Sequence, residues 1–118
     1  MVKQYDLEDR TAAFAARVRD VVKKLPKDVT NLEYSRQLIR SSASVGANYI
    51  EANEALGKKD FLMRIRISRK EAKETRYWLQ LITPGNGQTE VVEQLIQEAT
   101  ELLMIFTAIL KKTEGSGR

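Results

Sequence analysis

Apolar side chains return at three- and four-residue intervals along most of the chain, the spacing that gathers them on one face of an α-helix. In the first quarter Leu7, Thr11, Phe14, Val18, Val21, Val22 and Leu25 form such a stripe, and Pro26 closes it. Thr30 and Glu33 have the spacing of a capping box, with Val29 and Tyr34 as its flanking apolar pair. A second helix is therefore predicted to start there and to run to Gly57, read as its C-terminal glycine. Asp60 is placed to cap a third helix, which Thr83-Pro84-Gly85-Asn86-Gly87 ends. Thr89 opens a fourth, whose buried arc reads Val92, Leu95, Ala99, Leu102, Leu103, Phe106, Ile109 and Leu110. The predicted helices span about 6–25, 31–56, 60–82 and 89–112, with a frayed tail from Gly115 to Arg118. No useful stretch alternates with period two, so no strand is expected, and short connections force successive helices antiparallel. The expected fold is all-α, an antiparallel up-down-up-down four-helix bundle made by residues 1–118 as one domain.

The helix faces differ in character. On the second helix Leu38, Val45, Tyr49 and Leu56 edge the apolar arc on one side, and Leu32, Ile39 and Ile50 on the other. Ser35, Ser42, Gly46 and Asn53 lie between them, a stripe that lets a neighbouring backbone come close and that requires Asn53 to find partners inside the bundle. On the third helix Phe61, Ile65, Ser68, Ala72, Thr75 and Leu79 make a core stripe. Met63, Ile67, Trp78 and Leu81 widen that arc beyond what one bundle core needs, which marks them as an expected oligomer interface with Trp78 as anchor.

Charge sharpens the picture of that third helix. The net charge is +4, from 20 basic and 16 acidic residues, and it is unevenly spread. Residues 1–29 carry +2, 30–57 carry −1, 58–87 carry +5 and 88–118 carry −2. Arg66, Arg69, Lys70, Lys73 and Arg76 share one nearly acid-free sector, with Tyr77 beside them, and Glu71 and Glu74 fall on the other side. Arg10, Arg17 and Lys24 repeat at seven-residue spacing as a thinner stripe on the first helix. Like charges on one helix face can follow a phosphate backbone, so both stripes are candidate nucleic-acid contacts, although such a run is also what a solvated face looks like.

Composition removes several alternatives. The chain has no cysteine and no histidine, so disulfides, thiolate or imidazole metal sites, thiol catalysis and imidazole general bases are excluded. Glu51/Glu54 and Glu71/Glu74 form two E-x-x-E pairs of the kind that hold metals in bundles, but counting outward from the intervening hairpin puts them out of level, about 10 Å against nearly 17 Å. Surface ion pairing is the better reading, and neither a cofactor nor an enzymatic activity is expected. The opening residues carry Asp6, Glu8, Asp9 and Arg10 where a signal peptide would be apolar, and no later stretch approaches a membrane span. A cytoplasmic location without membrane contact is expected.

Three blocks carry a family resemblance: Arg40-Ser41-Ser42-Ala43-Ser44-Val45-Gly46-Ala47-Asn48-Tyr49-Ile50-Glu51-Ala52, then Lys58-Lys59-Asp60-Phe61, then Lys70-Glu71-Ala72-Lys73-Glu74-Thr75-Arg76-Tyr77-Trp78-Leu79. In order and spacing they resemble the 23S rRNA intervening-sequence proteins, the four-helix bundle or S23 family, over about residues 7 to 112. Ala52 stands where many members have glycine. The resemblance implies a small bacterial protein, often encoded within or beside ribosomal RNA genes, that tends to form ring-shaped homopentamers and has no recognised catalytic residue. A similar fold serves as the accessory protein of diversity-generating retroelements, where a basic pentamer binds nucleic acid and the reverse transcriptase. The expected function is that of a non-catalytic, oligomeric accessory protein binding RNA or DNA through the basic face of the third helix. A scaffold for a protein partner is the alternative, and a carboxylate-metal hydrolase is third.

Overall fold

The computed structural model describes residues 6–115, and among these it contains four α-helices and no strand. They are α1 (Asp6–Lys23), α2 (Val29–Asn53), α3 (Lys58–Leu81) and α4 (Thr89–Gly115). Each helix packs on its neighbours in sequence, α2 against α3 most extensively, and α1 touches α4 only along a short seam. The result is a four-helix bundle, 51 × 28 × 18 Å, flattened because its last seam is barely closed.

The core is the set of stripes that the periodicity predicts. Phe14, Val18, Leu38, Val45, Ile65, Leu79, Leu95, Leu102 and Phe106 are each essentially inaccessible to solvent. Leu62 joins them, whereas Phe61 and Leu103 are only partly covered. Where α2 meets α3 the contact is polar as well as small. The Ser68 hydroxyl donates to the Val45 carbonyl at 2.9 Å, and the Thr75 and Ser41 hydroxyls share a hydrogen bond of 2.8 Å. These bonds satisfy groups that would otherwise be costly to bury, and they allow the two backbones to approach.

The small-residue stripe on α2 predicts a close neighbour, and at Gly46 that neighbour is α1. A Cβ there would lie 2.7 Å from Thr11 Oγ1 and 3.1 Å from Thr11 Cβ, so the α1–α2 contact depends on its absence. Ser42 is buried on the same line, but Asn53 is not part of the interior. It is exposed at the end of α2 and donates to Glu8 Oε2 at 2.9 Å. Leu32, Ile39 and Ile50 are also about half exposed, because α1 and α3 together cover only the Leu38–Val45–Tyr49 side of α2, and Leu56 is fully exposed because α2 has already ended at Asn53.

Several helix boundaries differ from the predicted ones. Asp28, not Thr30, caps α2: its side chain accepts from the Asn31 amide at 2.8 Å and from the Thr30 hydroxyl at 3.0 Å. The backbone is extended at Asp28 and helical from Val29, so Thr30 already lies inside the first turn, and Val29 is left exposed with no staple to make. Gly57 does not close α2, which ends at Asn53 with Glu54 as its cap. It is the extended N-cap of α3, which begins at Lys58 without a side-chain cap, so Asp60 lies inside the first turn. At the other end α4 continues to Gly115, past the predicted stop at 112, and Ser116 to Arg118 lie outside the described residues.

One buried amide secures the end of the bundle where two loops meet. Asn31, 2 % exposed, donates to the carbonyls of Pro26 (3.0 Å) and Thr83 (3.3 Å) and accepts from the Thr83 amide (3.2 Å). In the same turn as Thr83, Gly85 lies so close to the Lys24 carbonyl that a Cβ would lie 2.2 Å from the oxygen.

Candidate nucleic-acid interface

The α3 core stripe fixes where its cations go. With Ile65, Ser68, Ala72, Thr75 and Leu79 inside, the helical period turns Arg66, Arg69, Lys70, Lys73 and Arg76 to the side that borders α4. All five line one groove of about 480 Å³ between the two helices, floored by Leu103 and Thr107. No carboxylate lines it. The two end residues are braced: Arg66 Nη2 donates to Glu114 Oε2 at 2.6 Å, and Arg76 Nη1 to Thr100 Oγ1 at 3.1 Å. Arg69, Lys70 and Lys73, between them, have no hydrogen-bonded or ionic partner among the described residues. From Arg66 to Arg76 the row extends about 15 Å along the helix.

Such a row can hold anions by charge. Lysine and arginine present only donors, and a groove whose walls carry no acid offers a continuous positive field to a chain of phosphates. The Arg66–Glu114 pair is half exposed on both sides, so an incoming phosphate can displace it at little cost.

Comparison with known proteins now fixes the family. The family model described as 23S rRNA-intervening sequence protein matches residues 3–108. The chain belongs to that family. A solved structure from Bacteroides thetaiotaomicron VPI-5482, described as a protein with unknown function from the S23 ribosomal protein family, is 33% identical to it. The match covers 88% of this chain and 97% of that one, with a TM-score of 0.74. No curated protein matches.

The second basic stripe does not stay together as a free surface. Arg10 faces α4, where its Nε and Nη2 grip both oxygens of Glu98 at 2.7 and 2.8 Å and Nη2 also reaches Glu101 at 2.8 Å. The two carboxylates hold its guanidinium charged well above the ordinary arginine range. Arg17 donates to Gln94 at 3.0 Å, and Lys24 sits in the turn beyond the end of α1. Arg10 and Arg17 therefore serve the thin α1–α4 seam.

The remaining α3 residues divide in the same way. Met63 and Leu81 are 45% and 40% exposed, and Ile67 is partly covered. Trp78 packs on Tyr34 of α2 with ring centroids 5.9 Å apart, and its indole N–H donates to Glu74 at 3.2 Å, so much of its surface is used within the chain. The E-x-x-E carboxylates do not converge. Arg40 bridges Glu71 and Glu74, Glu51 and Glu54 are exposed, and no metal-binding cluster occurs among the described residues. Among the described residues no helix is long and apolar enough to cross a membrane.

Sequence reasoning found the five cations but missed Leu103 and Thr107 as the groove floor, Arg40 as the clamp on Glu71, and Asn31. Thr100, Leu103 and Thr107 do share a helical stripe beside the α4 core, which is the signal that could have shown the second wall.

Proposed function

We propose that this chain is a non-catalytic, oligomeric, cytoplasmic accessory protein that holds RNA or DNA by its backbone in the α3–α4 groove. The observation that carries this reading is the convergence of five cations, three without partners, on a groove with no carboxylate in its lining. The polar lining is five cations and one threonine, with no amide or carboxylate side chain to complement adenine or cytosine, so binding is expected to be salt-sensitive and to vary little with sequence. The apolar surface left on α3, with Met63 and Leu81 as its most exposed members, supports self-association, and the family resemblance points to a pentamer.

Titration of labelled single-stranded RNA and duplex DNA of unrelated sequences, at two salt concentrations, tests the reading. Micromolar or tighter binding at low salt that weakens steeply as salt rises is the expected result. Absence of binding at low salt would favour docking of an acidic protein. That second reading has one specific support: Arg66, at one end of the row, already pairs with a carboxylate of its own chain, Glu114.

A further inference from the structure

One exposed aromatic side chain stands in line with the groove cations. Arg66, Lys70, Lys73 and Tyr77 follow one another at intervals of four, three and four, so they share one stripe on the solvent side of α3. All four are exposed, and Tyr77, 53% exposed, closes the row about 6 Å beyond Lys73 along the helix axis. Its ring is braced on one side only. Trp78 meets it edge to face with ring centroids 5.1 Å apart, and Trp78 in turn packs on Tyr34 at 5.9 Å. The rest of the tyrosine ring is open at the end of a row of positive charge.

We propose that the nucleic acid held in the α3–α4 groove is single-stranded, and that one of its bases stacks on Tyr77. The inference rests on the groove reading above and names the form of nucleic acid that the groove takes. Phosphates that follow the cations as far as Lys73 bring the next nucleotide to the tyrosine ring. An unpaired nucleotide has a base face free to lie on that ring, whereas inside a duplex both faces of a base are already stacked on neighbours. A duplex is also too broad to enter a groove between two packed helices and would rest on its rim. Charge alone favours the opposite choice. Matching one phosphate contributes about 0.9 to the salt slope on a duplex and about 0.7 on a single strand, because the duplex condenses more counterions. A preference for the single strand therefore requires a contact to the bases. Since every base has a π-face, stacking on Tyr77 leaves sequence preference small.

The test offers the whole chain three labelled probes at one low salt concentration: an oligothymidylate, a strand of the same length with abasic sugars throughout, and a duplex of that length. Wild type should bind the oligothymidylate about tenfold more tightly than the abasic strand, the worth of one stacked base, and more tightly than the duplex. Tyr77→Leu should lose that tenfold with helicity and salt slope unchanged, since no phosphate contact is removed, and Tyr77→Phe should restore it. If Tyr77→Leu alters the mass of the protein in solution, the wild-type comparison of abasic and thymidylate strands decides alone. An abasic strand that binds as tightly as the oligothymidylate, a duplex that binds more tightly than either, or a folded Tyr77→Leu protein with wild-type affinity overturns this inference while leaving the groove reading standing. Failure of all three probes to bind overturns both.

Discussion

Gly46 and Thr11 meet where α1 crosses α2, and at that point a single methyl group decides whether the helices can approach. Gly46→Ala is expected to cost about 1–3 kcal/mol through overpacking, despite the better helix propensity of alanine, and Gly46→Leu more. Combining Gly46→Ala with Thr11→Ala should cost less than the two changes summed, since removal of Oγ1 takes away the nearest clash. Thermal melts of the four proteins check this. Asp28 gives a different kind of test. The Asn31 amide first, and then the Thr30 hydroxyl, hold its carboxyl below the ordinary value of 3.8. On α4 the Gln97 side chain and then Arg10 hold Glu101 below 4.5. A depressed folded-state value means stabilisation that is complete above the unfolded value and lost as pH falls through the folded one. The melting temperature should therefore be flat through neutrality and fall below about pH 4, and Asp28→Asn should fall less steeply. A melting series in acid reads both slopes. The misassigned cap also shows what a sequence withholds. Asp28 and Thr30 both have the chemistry to cap α2, and backbone geometry decides between them.

The α1–α4 seam is the weakest element contact, and polar side chains span it. Arg10 on Glu98 and Glu101, with Arg17 on Gln94, joins helices that share little apolar surface. Arg10→Ala should leave Glu98 without its partner and loosen α1 preferentially, seen as faster amide exchange in residues 6–23 than in α2 or α3. At the opposite level of the fold, Asn31→Ala removes three hydrogen bonds from the place where two loops meet, for an expected loss of about 1–3 kcal/mol by thermal denaturation. These elements explain how the sequence could be read for the helices and less well for their neighbours. Four apolar stripes and the Thr83–Gly87 turn are local signals, so helix number and order were legible. Which cation meets which acid is not local. Arg10 and Arg17 share a face with Lys24 on paper, yet they serve α4 because the packing of α1 turns them there. Arg69, Lys70 and Lys73 escaped this fate because the stretch of α4 opposite them offers Leu103 and Thr107, whereas Arg66 and Arg76 at the ends of the row meet Glu114 and Thr100.

At the scale of the whole molecule, basic and acidic surfaces lie side by side. The α3–α4 groove gathers the positive charge of residues 58–87, while Glu90 and Glu93 are exposed on α4. Net charge alone would thus predict weak, diffuse attraction to nucleic acid, whereas a defined groove predicts that particular cations matter. Glu98 is unsuitable for a control substitution because it holds Arg10, but Glu93→Lys changes net charge without touching the seam. The decisive measurement is the slope of log affinity against log salt for a labelled RNA, compared among wild type, Arg69→Gln, Lys73→Gln, Arg17→Gln and Glu93→Lys. Groove binding predicts that the slope falls by about one for each of Arg69→Gln and Lys73→Gln, and by about two for their combination, while the other two variants keep the wild-type slope. Equal slopes for the groove variants and wild type, or a loss in Arg17→Gln as large as theirs, would contradict the account.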